Sequence, residues 1–215
     1  MTGRRVALAV LVLGLAGCGD EGRQPAGHLV PPPQGRVAVE ADPGVRRFRA
    51  IEFGFELAYP PEVTFTRSFQ RSHLGAGGWK AFAPTNSRGE PVAALVLPGS
   101  NALAAGELRV GVSTQAADVA ACLELPPSAV PGTRGEEEID GVPFVRFDAH
   151  GTARNSRMFV RGFRAVRNRQ CYAIDLIVTG TDADPATLPQ EPPFSREEAL
   201  VRVSALLDGF GFIRR

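Results

Sequence analysis

Apolar and polar residues alternate strictly over 51–59, where Ile51, Phe53, Phe55, Leu57 and Tyr59 are separated by Glu52, Gly54, Glu56 and Ala58. A period of two puts every second side chain on one face, so the stretch predicts a half-buried strand, closed by Pro60 and Pro61. Further strands are predicted over 63–69, 79–82, 92–97, 108–112, 142–147, 158–166 and 171–178. Turn-forming clusters separate them: Gly75-Ala76-Gly77-Gly78, Asn86-Ser87-Arg88-Gly89, Asp140-Gly141 and Asn168-Arg169. Segments 142–147 and 158–166 are expected to form a hairpin. Two windows show helical spacing instead. In 114–123, Ala116, Val119, Ala120 and Leu123 share a face. In 195–210, Ser195 and Glu198 make a capping-box pattern after Pro192-Pro193, and Leu200, Val203, Leu207 and Phe210 form one stripe that Gly209 ends. Phe212 and Ile213 are read as a closing strand. Runs of strands with few helices point to one α+β domain over 47–215, an antiparallel sheet with two main helices packed against it.

The N-terminus follows a different pattern. Residues 1–5 are short and basic, and 6–16 form an apolar run interrupted only by Gly14. As a helix such a run rises about 17 Å, against a hydrocarbon core of roughly 30 Å, so it is too short to span a bilayer. It matches the apolar core of a signal peptide. Leu15-Ala16-Gly17-Cys18 follows, and it resembles the lipobox of bacterial lipoproteins. That resemblance implies removal of residues 1–17 and a diacylglyceryl group on the sulfur of Cys18. One acyl chain binds a bilayer marginally, whereas two or three hold it stably. Residues 18–46 carry breakers throughout, among them Pro31-Pro32-Pro33, and are read as a flexible tether with an end-to-end distance on the order of 30 Å. His28 lies within it. The expected location is the cell envelope. In a diderm cell, Gly19 rather than aspartate after the lipidated cysteine favours the periplasmic face of the outer membrane over the inner membrane.

Composition narrows the partners. Of 215 residues, 44% are hydrophobic and 22% charged, the balance of a globular chain. Loss of Arg4 and Arg5 with the leader turns a formal charge of +1 into about −1, which excludes the concentrated positive charge that nucleic-acid binding requires. A membrane partner through lipid and an envelope protein or polymer are expected instead, with no cofactor. With Cys18 used by the lipobox, two cysteines remain. Cys122 and Cys171 are expected to form a structural disulfide, as an oxidising compartment permits; two cysteines without a C-x-x-C spacing fit redox or zinc chemistry poorly.

Catalytic signatures with a defined spacing are absent from the sequence. Asp148 and His150, two apart, with a serine such as Ser156, supply the residue types of an activated nucleophile and leave a periplasmic hydrolase as one alternative. His73 with the same pair is a weaker metal candidate. Glu136-Glu137-Glu138 is read as a solvated connector. Asp182 and Asp184 resemble a fragment of a calcium loop without its later ligands. Arg154, Arg157, Arg161, Arg164, Arg167 and Arg169 are dense, but strand geometry splits them between faces.

Phe53-Gly54-Phe55-Glu56-Leu57-Ala58-Tyr59-Pro60, with Asn168-Arg169-Gln170-Cys171-Tyr172-Ala173-Ile174 and Phe210-Gly211-Phe212, resembles domains of the PsbP fold, the extrinsic subunit of photosystem II. Pro61-Glu62 departs from the glycine-tryptophan turn usual there. The resemblance implies an antiparallel sheet with packed helices and an accessory or binding role, with no active site to carry over. The favoured reading is thus a membrane-anchored, non-catalytic binding or structural module. A carrier of a small apolar ligand is the other alternative.

Overall fold

The computed structural model describes residues 44–69, 78–153, 156–181 and 191–214. The expected leader, Cys18, most of the tether, His73, Arg154, Asp182 and Asp184 lie outside them. Among the described residues, two antiparallel sheets, two α-helices and a 3₁₀ turn at Leu206–Gly209 account for the regular structure. The smaller sheet has the order β1 (Arg46–Ala50), β2 (Phe55–Tyr59), β10 (Phe210–Phe212). The larger has seven strands, and its middle is made by β5 (Ala104–Ser113), β9 (Gln170–Thr181) and β8 (Ser156–Arg167). On one side β4 (Glu90–Val96) and β3 (Thr64–Arg67) extend it; on the other, β7 (Val142–Ala153) and β6 (Gly135–Ile139) do.

One face of the large sheet is apolar because alternate residues of its central strands are: Leu108, Val110 and Val112 on β5, and Tyr172, Ile174, Leu176 and Val178 on β9. The small sheet and helix α2 (Arg196–Ala205) cover that face. Phe55 stacks on Phe210 with ring centroids 5.4 Å apart, and Phe144 of the large sheet stacks on Phe212 at 6.3 Å. Such ring pairs contribute about 1 kcal/mol each beyond their buried area. α2 begins where expected, with Ser195 Oγ accepting from Glu198 N at 3.0 Å. The glutamate does not complete a capping box; its carboxylate reaches Arg202 one turn on, at 3.5 Å.

Three readings of the sequence are corrected. The alternation over 51–59 is not one strand. Residues 51–54 form a turn joining β1 to β2, Gly54 takes φ +68°, and Ile51 is 64% exposed. Residues 79–82 are turns rather than a strand, because Trp79 is spent on covering the second face of the sheet. Glu136-Glu137-Glu138 is strand, the core of edge strand β6, in register with Val145, Phe144 and Pro143. An open edge exposes unpaired backbone groups, and charge on it discourages pairing with other chains.

Candidate functional site

The second face of the large sheet carries charge. On β5, Glu107 and Arg109 alternate with the apolar positions and are buried, and Arg109 Nε lies 3.0 Å from Glu107 Oε2. Arg109 also sits over the Phe69 ring, 4.7 Å from its centroid. Arg164 on β8 faces Ala173, so Asp175, two residues on, is its diagonal neighbour. Arg164 Nη1 lies 2.8 Å from Asp175 Oδ1 and donates to Phe163 O at 2.9 Å. The other carboxylate oxygen, Asp175 Oδ2, accepts from Ala81 N at 2.7 Å, which pins the 79–82 turns over the sheet. Gly111 permits this approach, since a Cβ there would collide with the Trp79 carbonyl.

Helix α1 (Ala116–Ala120) closes the same layer, and five residues are too few to hold a helix unaided. It is tied down twice. Asp118 Oδ1 accepts from Ser87 Oγ at 2.5 Å and Oδ2 from Arg88 N at 2.8 Å, while Trp79 Nε1 donates to Ser87 Oγ at 2.7 Å. Burial pushes the Asp118 carboxyl upward, but the hydrogen bonds from Ser87 and Arg88 N, the Lys80 charge and the Ser113 hydroxyl outweigh it and hold it below the usual aspartate range. Lys80, the only lysine, stacks on Trp79 with Nζ 4.9 Å from the ring centroid. Burial, then the Arg164 charge, pull its amine below the usual lysine range, against the opposing pull of Asp118, Asp175 and Glu124. The second tie is the Cys122–Cys171 disulfide, with Cα atoms 5.6 Å apart and both sulfurs in the buried cluster around Trp79. The pairing read from the sequence is present.

Two cavities flank the β8–β9 turn. One, of about 610 Å³, lies between α1 and the turn, against Thr114, Val119, Asn168, Arg169 and Gln170. The other, of about 420 Å³, lies between the β1–β2 turn and the same hairpin, lined by Glu52, Gly54, Arg167, Gln170 and Tyr172 among others. Both volumes fall in the range of small-molecule sites. Asn168 and Arg169 adopt φ +52° and +60°, the left-handed pair of a tight hairpin turn; asparagine tolerates this, arginine does so at a cost of about 1 kcal/mol. Arg167 sits over the Phe212 ring, 4.3 Å from its centroid. The Tyr172 hydroxyl, buried beneath, lies 2.6 Å from Phe53 O and 2.5 Å from the Gln170 side-chain amide. Both partners are acceptors, Phe53 O and Gln170 Oε1, so the single phenol proton is shared between them. Burial, only partly offset by Arg167, raises the phenol above its usual range and keeps it protonated.

The nucleophile constellation does not assemble. Asp148 is engaged by Arg161, whose Nε and Nη2 donate to its two oxygens at 2.8 and 3.2 Å. His150 is exposed and packs beside Phe159. Ser156 pairs with Ala153, an odd step from His150, so it points to the opposite face of the hairpin. Among the described residues no group of three His, Cys, Asp or Glu is placed to hold a metal ion, and no helix is long and apolar enough to cross a membrane. The arginines divide as strand geometry requires: Arg161 and Arg164 are paired, Arg167 is stacked, and only Arg169 projects from the turn itself. An apolar carrier would need room between the sheets, where the rings of Phe55, Phe144, Phe210 and Phe212 meet instead. Sequence reasoning did not join Glu52 to Arg167, Gln170 and Tyr172; they lie far from it in the chain, and only the docking of the β1–β2 turn brings them to one cavity.

No family model and no curated protein matches this chain. Similar solved structures exist. One of them is the solution structure of cyanobacterial PsbP (CyanoP) from Synechocystis sp. PCC 6803, which aligns over 84% of this chain and 99% of that one, at 12% identity and a TM-score of 0.39.

Proposed function

We propose that this protein is a cell-envelope lipoprotein whose folded domain is a non-catalytic binding or accessory module, moored by acyl chains on Cys18 and engaging its partner at the β8–β9 end. The observation that carries the reading is the Cys122–Cys171 disulfide. A buried structural disulfide belongs to an oxidising compartment, and it leaves Cys18 as the one cysteine of three available for lipid. The sequence from Leu15 to Cys18 is what a lipoprotein-processing route recognises. The proline-rich stretch after it gives the domain reach from a bilayer surface. The cavities beside the β8–β9 turn favour binding as the domain's work, and Asp148 is taken up by Arg161 rather than poised beside a nucleophile. Mass spectrometry of the N-terminal peptide from membranes of the native host tests the anchor. A thioether-linked diacylglyceryl group on an N-terminal Cys18 is expected; an uncut precursor, or a mature chain with a free thiol, would overturn it.

A further inference from the structure

We propose that the cavity between the β1–β2 turn and the β8–β9 hairpin binds a small zwitterion, a primary ammonium close to a phosphate or carboxylate. The anion rests on Arg167 and the ammonium faces Glu52. This deepens the binding-module reading without depending on the lipid anchor. Arg47, Arg49, Arg161, Arg164 and Arg202 each lie against a carboxylate. Arg167 does not: among the described residues it sits over the Phe212 ring, 4.3 Å from the centroid, with no carboxylate against it. Glu52 is exposed on the opposing turn and, among the described residues, forms no ion pair. The two charges line one cavity of about 420 Å³ without meeting. A simple anion placed on Arg167 is repelled by Glu52, and a simple cation at Glu52 is repelled by Arg167. A ligand carrying both charges satisfies both walls. The polar floor supports the arrangement. Tyr172 is fixed to Phe53 O, so it ties the turn bearing Glu52 to the hairpin bearing Arg167 and sets the spacing of the charges.

Two sources share this chemistry, a phosphoethanolamine lipid headgroup and a free amino acid, and the test separates them. The full chain in a non-ionic detergent is titrated calorimetrically with O-phosphoethanolamine, glycine, inorganic phosphate and ethanolamine. At least one zwitterion should bind about tenfold more tightly than phosphate or ethanolamine, the loss expected for one missing charge contact. Preference for O-phosphoethanolamine marks the headgroup, and preference for glycine the amino acid. Glu52→Gln, on an exposed turn, should abolish the selectivity by weakening the zwitterion and strengthening phosphate; Arg167→Gln should abolish binding of both. The proposal is overturned if neither zwitterion binds, if phosphate binds as tightly as O-phosphoethanolamine to the parent protein, or if Glu52→Gln leaves the ratio unchanged. None of these results bears on the modification of Cys18, so the two readings fail separately.

Discussion

Replacing Asp175 by alanine tests whether the buried charges hold the second face together. In the parent protein the side chains of Arg164 and Asp175 are only 3% and 2% exposed. Removing the carboxylate leaves a guanidinium with no counter-charge in a layer that excludes water, and strips Ala81 N of its acceptor. Breaking one partner of such a pair costs about 3–5 kcal/mol. That is a large part of the roughly 5–15 kcal/mol by which a domain is stable. Removing both charges has a different outcome, because no unpaired charge is left buried: Arg164→Met with Asp175→Leu should regain most of the loss, although Ala81 N still lacks its acceptor. Urea unfolding followed by fluorescence of Trp79, the only tryptophan and buried in this layer, reads the change directly, with far-UV circular dichroism as the second probe. The reasoning fails if Asp175→Ala loses less than about 1 kcal/mol, or if the double variant is no more stable than the single one.

Three further outcomes follow from the same layer. Replacing Cys122 and Cys171 by alanine opens a closure between residues 49 apart and should lower stability by about 4 kcal/mol, read as a fall in urea midpoint that reductant reproduces in the parent. Gly111→Ala drives a methyl group into the Trp79 carbonyl and should cost about 3 kcal/mol, with loss of the near-UV signal of Trp79; an unchanged midpoint would refute the packing described. Asp118 titrates lower folded than unfolded, so its contribution is complete above the ordinary aspartate range and is lost as pH falls through the folded value. Asp118→Asn should therefore be less stable than the parent at neutral pH and converge with it in acid. Parallel stability–pH curves would contradict the network.

Long strands with strong alternation were legible in the sequence, and so was the helix after Ser195, because period and capping are local signals. What escaped was decided by pairing. β1 is not read as a strand because Arg46, Arg47 and Arg49 outnumber its two buried residues, Phe48 and Ala50. β6 reads as a connector because an edge strand with both faces exposed has no alternation to display. Trp79 and Phe82 mimic a strand although the segment is a lid of turns. Glu107, Arg109, Arg164 and Asp175 each look like the wet face of a strand. Only the register places Arg164 diagonally from Asp175, and only the overlying turns bury them. The candidate cavity was invisible for the same reason, since Glu52 and Arg167 are neighbours only through the docking of two turns.

The two ties on α1 have a consequence for how the molecule yields. Its aromatic side is closed by ring packing, while the opposite layer is held by one cystine, the Asp118 carboxylate and the Asp175 bond to Ala81 N. Acid and thiol therefore act on the same flap. When either is applied, amide exchange should quicken first across 79–89 and 114–123, well before the strands beneath, so that the body opens like a hinged cover and keeps its shape underneath.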